Sequence, residues 1–121
     1  MATLLVNTGK AIVTSRLNSG GTIPQYLAWG TGAGTTGATD TTLFTEVTPR
    51  VSGTTSQVTT STTNDTFQVV GTQTAGTSET ITNAGLFDAS TSGNLFIKGD
   101  FTGIPLNTSD SIQFTFKVQF S

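Results

Sequence analysis

Asp40, Glu46, Asp65, Glu79, Asp88, Asp100 and Asp110, with the cations Lys10, Arg16, Arg50, Lys98 and Lys117, are the ionisable side chains of this sequence apart from Tyr26. The absence of His removes the usual general base, the Ser/His/Asp arrangement and the commonest transition-metal ligand. The absence of Cys removes disulfides, thiolate catalysis and Cys-ligated metal. Carboxylate-pair chemistry of the glycosidase kind is what such a chain could still perform. The seven acids are scattered through separate turns and strands, with no D-x-D-x-D-G calcium loop and no paired spacing. They read as solvated turn residues, so we expect no catalytic residue, no cofactor-binding residue, no metal ligand and no enzyme.

Two other stretches invite a chemical reading. "GTGAGTTG" (Gly30 to Gly37) resembles a phosphate loop, but no G-K-[ST] follows and the next segment is Thr-rich rather than a helix start. The expectation is a flexible connector between strands. Tyr26 and Trp29 share one short predicted strand and could form a sugar-stacking platform, although a Trp beside alternating apolar residues is more often core. The sequons at Asn64 and Asn107 are the chance matches of an Asn- and Thr-rich chain.

Charge and composition narrow the partners. A formal charge of -2 and a pI near 4.6 leave no basic patch for phosphates, which excludes nucleic acid. Charged residues make up only 10% of the 121 residues, against roughly 25% in an average domain. Thr, Ser, Asn, Gln and Gly supply the polarity instead, and mean hydropathy is +0.01. Eight Phe residues and the low net charge argue against disorder. No apolar run approaches the ~18 residues of a membrane span, so no membrane partner is expected. "MATLLVNTGK" lacks the basic start of a secretory signal, and the mature chain is expected to be the whole chain.

The elements that must position these residues are mostly strands. "NTGKAIVTSRL" predicts a short helix from Asn7 to Leu17, with Asn7 or Thr8 as its cap, broken by "NSGGTIP". "QYLAWG" reads as a strand, and "FTEVTPRVSGTTSQVTT" alternates around Val47, Val51 and Val58 with Pro49 at an edge or bulge. "DTFQVVGTQT" and "ETITNAGLFDA" follow, and "SGN" turns into "LFIKGDF", where Leu95, Ile97 and Phe101 should oppose Phe96, Lys98 and Asp100. "GIPLNTSD" then reverses the chain into "DSIQFTFKVQFS". There Ile112, Phe114, Phe116, Val118 and Phe120 share one face and Gln113, Thr115, Lys117 and Gln119 the other. The sum is a mainly β protein: an antiparallel β-sandwich or jelly roll over residues 25–121, with an N-terminal arm and short helix over residues 1–24. Trp29, Leu86, Phe87, Phe101, Phe114 and Phe116 are the expected core. The apolar face of the last strand should lie under the opposite sheet, leaving its polar face for a neighbouring subunit. Few edge lysines guard such a chain against association, so self-assembly into a dimer or trimer is expected.

The stretches "AWGTGAGTTGATDTTLFTEVTPRVSGTTSQVTT", "NDTFQVVGTQTAG" and "TITNAGLFDASTSGNLFIKGDFTGIPLNTSDSIQFTFKVQF" resemble small β-rich virion proteins of tailed bacteriophages. These are described as capsid decoration (cement) proteins or tail-fibre-like proteins. The likeness runs from about Tyr26 onward, and departs where Asn83 stands in place of an expected Glu. It implies a structural protein on the outer surface of the capsid that bridges subunits of the major capsid protein, many weak contacts adding up across a symmetric shell. The segment with Lys10, Ile12, Val13, Arg16 and Leu17 is the candidate capsid contact. The alternatives it leaves are a tail, neck or fibre-attachment protein and a host-glycan adhesion module.

Overall fold

The computed structural model of the chain describes residues 3–120, so Met1 and Ala2 of the expected arm and Ser121 of the last strand lie outside the described residues. Eight strands and one helix follow in the order β1 (Thr3–Leu5), α1 (Asn7–Ser19), β2 (Tyr26–Gly30), β3 (Glu46–Ser52), β4 (Thr54–Val58), β5 (Thr66–Thr74), β6 (Glu79–Phe87), β7 (Leu95–Leu106) and β8 (Ser111–Gln119). They form two antiparallel sheets, β1-β7-β6-β2-β3 and β4-β5-β8. The sheets pack face to face, as the alternating apolar residues require.

Between the sheets, Leu27, Leu86 and Ile97 meet Val69 of β5, with Phe67, Phe114, Phe116 and Val118 packed against them. Trp29, Ala84 and Ile81 continue this layer towards Ile112 and Phe101. The expected face of β8 therefore turns inward. Its residues are half-buried rather than sealed, because β8 lies at the sheet edge, and Phe120 is 51% exposed.

"FTEVTPRVSGTTSQVTT" is two strands rather than one, and they belong to different sheets. The chain changes sheet at Gly53, where a Cβ would come within 2.5 Å of Val69 Cγ1. Only a residue without a side chain passes there. Pro49 sits on the outermost strand, where pairing shifts between Leu27↔Val51 and Trp29↔Val47, so its missing N–H breaks no ladder.

A second irregularity changes the faces of β7. Leu86 pairs with Ile97 but Phe87 with Leu95, which leaves Phe96 as the extra residue of a bulge. Leu95 consequently packs with Val6, Ala28, Leu43 and Phe87 on the outer side of the large sheet, while Phe96 and Ile97 both join the inter-sheet layer. The simple alternation expected from Leu95 to Phe101 is broken at this one residue and resumes beyond it, with Ile97 and Phe101 on the inter-sheet side and Lys98 on the other. The strand also runs on to Leu106, so the reversal into β8 is confined to Asn107–Asp110.

The helix forms, but not with the expected cap. Val6 is the N-cap in extended conformation and no side chain caps the helix, because Thr8 Oγ1 donates instead to the Leu95 carbonyl at 2.8 Å. At Gly9 a Cβ would stand 2.1 Å from the Phe96 carbonyl oxygen, so α1 lies directly against the bulge. β1 adds to the outer edge of β7 through Thr3↔Gly99, Leu4↔Lys98 and Leu5↔Ile97.

Candidate functional site

An apolar opening lies where α1 leaves the sandwich. Ile12, Val13, Arg16 and Leu17 form one wall, Gly20, Gly21, Ile23 and Pro24 the floor, and Phe67, Phe96 and Phe120 the far side of a groove of about 440 Å³. Gly20, with φ +81°, ends the helix and donates to the Arg16 carbonyl at 3.1 Å, turning the chain back under the helix. Leu17 is 83% exposed, Ile23 47% and Phe120 51%. Three of the four large exposed apolar residues among those described thus border one groove. Arg16 is its one charged residue, held by the Thr22 carbonyl at 2.7 Å and by Asp88 at 3.5 Å.

Four of the five candidate contacts, Ile12, Val13, Arg16 and Leu17, meet in this groove, whereas Lys10 is exposed away from its lining. Ile12 is a buried member of the core and so supports the wall rather than offering itself to a partner. Sequence reading missed the far side of the groove. Phe67, Phe96 and Phe120 come from three separate strands or their ends, and Phe96 arrives only through the bulge.

The Gly/Thr-rich segment after β2 is no free connector. Thr31 and Gly32 donate to the Thr45 and Phe44 carbonyls, extending the β2–β3 pairing, and Thr82 Oγ1 donates to the Gly32 carbonyl. Asn7 donates to the Ala38 carbonyl at 2.9 Å. Lys98, 0% exposed, reaches from β7 to Asp40 Oδ2 and the Thr42 carbonyl, both at 2.9 Å, with its Nζ 3.3 Å from the centre of the Phe44 ring. The Lys98 ammonium, followed by the Gly37 N–H, holds the Asp40 carboxyl below its usual range. A buried cation is compensated by an ion pair, a carbonyl and a ring face.

Five of the other six acids, all but Glu79, are also tied into structure. Both Glu46 carboxylate oxygens accept from the Arg50 guanidinium, through Nε and Nη2, while the guanidinium lies 3.6 Å over the Phe87 ring and its Nη1 donates to the Ala89 and Ser92 carbonyls. Asp65 accepts the N–H groups of Thr60, Ser61 and Thr62 at 2.8, 3.0 and 3.0 Å. Those backbone donors hold its carboxyl far below the usual range. Asp88 accepts from the Asn94 N–H at 2.7 Å and Asp110 from the Asn107 N–H at 2.8 Å, each closing a turn. Asp100 accepts from the Thr36 N–H.

Tyr26 and Trp29 make no stacking platform. Three residues apart on a strand, they point to opposite faces: Tyr26 packs on the outer cluster, and Trp29, 1% exposed, meets Phe114 edge-on at 6.4 Å. Among the other expected core residues, Leu86 and Phe87 are 1% and 2% exposed. Leu86 lies between the sheets, whereas Phe87 belongs to the outer cluster. Phe101, Phe114 and Phe116 are half-buried and adjoin one another, with Phe114 stacked on Phe116 at 6.0 Å.

Comparison with known proteins adds one relationship. Residues 17–118 match the family described as Podophage GP4 fiber I protein gp80. The matched stretch takes in β2 to β7 and nearly all of β8, and omits β1 and most of α1. No curated protein and no solved structure matches the chain.

Proposed function

Since the chain belongs to the podophage GP4 fiber I protein gp80 family, and so among phage virion structural proteins, we propose that it is a non-enzymatic fibre component. It works by associating with further copies of itself through the groove beside α1. The observation that carries this reading is the clustering of Leu17, Ile23 and Phe120 around an apolar recess. Removing such side chains from water contributes about 25 cal/mol per Å², and nothing charged except Arg16 has to be desolvated with them.

A second copy is the occupant we favour because one surface carries both halves of the contact. Leu17 projects at the rim and the recess lies beside it, so a twofold pairing sets each Leu17 into the other chain's groove. The engagement of Asp40, Glu46, Asp65, Asp88 and Asp110 in ion pairs and turn closure supports the non-enzymatic part.

Between fibre and shell, the family description favours the fibre. The test is the number of copies per virion, by quantitative mass spectrometry against the major capsid protein, together with gold-labelled antibody on intact particles. A few to a few dozen copies and label on the tail or fibres support the reading. A ratio near one per capsid subunit, with label over the head, would replace it with lattice cement whose partner is the major capsid protein.

A further inference from the structure

The two sheets have four edges, and three of them are blunted. β1 is three residues long, β4 is five, and β3 carries Pro49 and a shift in its pairing. β8 is different. It runs in register with β5 from Ser111↔Thr74 to Gln119↔Thr66, without a bulge, Pro or Gly and with Lys117 as its one charge. No described strand pairs with its other side. At its two ends the Ala75 N–H donates to the Asp110 carbonyl at 2.8 Å and the Phe120 N–H to the Asp65 carbonyl at 2.9 Å, so the even-numbered residues face β5. The alternation of an antiparallel ladder then turns the N–H and C=O groups of Ser111, Gln113, Thr115, Lys117 and Gln119 outward.

A recess of about 320 Å³ runs along this edge. Phe114 and Phe116 line it with Phe101, Ala84, Gly99 and Thr3 of the large sheet, and no residue of β5 does, so the large sheet reaches past β8 here. A strand added to β8 turns every second side chain down into the recess. The others lie beside Gln113, Thr115 and Lys117 on the outer face. That face offers one cation, the exposed Lys117. Asp100, the other charged residue of the recess, accepts from the Thr36 N–H at 3.4 Å.

We propose that the free edge of β8 docks one extended segment of a different polypeptide, with apolar residues at alternate positions and an acid on its polar face opposite Lys117. The backbone ladder gives the binding, and the recess beside Phe101, Phe114 and Phe116 selects the apolar positions. A second copy of this chain fits less well. Antiparallel pairing of two β8 strands sets both large sheets on the same side of the joined sheet, where β1 and β7 of each copy would claim the space under the junction. A lone segment brings no such layer. The edge shares no lining residue with the groove beside α1, and its binding stands or falls without that contact.

The probe is the capped peptide Thr-Phe-Thr-Val-Thr-Val-Glu, titrated into the 15N-labelled chain and into its Leu17→Asp variant, so that loss of the groove contact is read separately. With free peptide at about nine times its Kd, hydrogen exchange at the Gln113, Thr115 and Lys117 amides should slow about tenfold, the factor being one plus the ratio of free peptide to Kd. The Phe114 and Phe116 amides, already bonded to β5, should change little. The same peptide ending in Lys should bind more weakly at low salt. Thr115→Pro removes an outward N–H and no bond to β5, so it should fold and lose the binding. Should it fail to fold, the peptide with every backbone nitrogen methylated keeps the side chains without the donors, and it should not bind the parent. Protection of no β8 amide, protection on β3 or β4 instead, or equal binding by a folded Thr115→Pro chain or by the methylated peptide overturns the proposal. Equal binding of the Lys peptide overturns its acid. Outward amides protected in the chain alone, increasingly with its concentration, would assign the edge to a second copy and overturn it too.

Discussion

Asn83 holds Phe44 by both of its backbone groups: Oδ1 accepts from the Phe44 N–H at 3.0 Å and Nδ2 donates to the Phe44 carbonyl at 3.1 Å. A fully buried side chain on β6 thereby acts as one more strand position for the segment between β2 and β3. Asn83→Ala should cost about 2–3 kcal/mol by leaving both groups unpaired. Urea denaturation gives the stability, and limited proteolysis should find new cuts between residues 31 and 45. Unchanged protease resistance would mean that Lys98 and Asn7 hold the segment without Asn83.

The Lys98 cluster makes a pH prediction. Asp40 has a folded pKa below its usual 3.8, so its contribution is complete above that value and is lost as pH falls through the lower folded value. Stability should drop below about pH 4, and the drop should be smaller in a Lys98→Met variant, which has no ammonium to hold the carboxylate. Asp40→Ala at neutral pH leaves the buried ammonium without its counter-charge and should cost about 3 kcal/mol. Thermal melts of the three proteins across pH 2.5–7 (roughly the carboxylate range) separate these effects.

Asp65 gathers the turn between β4 and β5, and through Gln119 Nε2 at 3.2 Å it also ties in the end of β8. Its carboxyl is held low, so this support too is present above the usual carboxylate pKa and is lost only as pH falls through the depressed folded value. Asp65→Ala should raise amide hydrogen exchange at Thr60, Ser61, Thr62 and Phe120 while leaving the β6–β7 pairs protected. Equal exchange in variant and parent would refute the assignment.

Phe114 touches Trp29, Phe101 and Phe116. Because it is half-buried on an edge strand, Phe114→Ala should cost about 2–3 kcal/mol, below the ~3–5 typical of a sealed ring. Guanidinium melts followed by Trp29 fluorescence read both the loss and the loosening beside the indole.

Leu17→Asp is the direct probe of the groove. A residue 83% exposed in the isolated chain should change monomer stability by no more than about 0.5 kcal/mol. The same change should shift the light-scattering mass of concentrated samples to that of a monomer. If the parent is already monomeric at high concentration, self-association through this groove is excluded.

Much of this fold was legible because its physics is local. The alternation of β8, the Gly/Pro break after α1 and the edge position of Pro49 all follow from period and turn chemistry. What escaped was non-local. No pattern along the chain announces that Gly53 hands it from one sheet to the other, or that one extra residue at Phe96 sends Leu95 to the outer face. The tethering of the Gly/Thr-rich segment depends on Asn83 and Lys98, which are distant in sequence and would each read as surface residues. Likewise, the Leu17 side of the groove was visible as candidate contacts, whereas the three phenylalanines opposite it meet only after folding.

The strand order carries a consequence for biosynthesis. β1 pairs with β7, and β5 waits for β8, whose Phe114 and Phe116 complete the covering of Trp29. An emerging chain therefore cannot close its inter-sheet layer until its eighth strand has left the ribosome. Such long-range pairing folds on the slow side of small domains, in milliseconds to seconds. In the interval its apolar strands stay uncovered and open to non-native contacts, which the closing of β8 onto β5 ends.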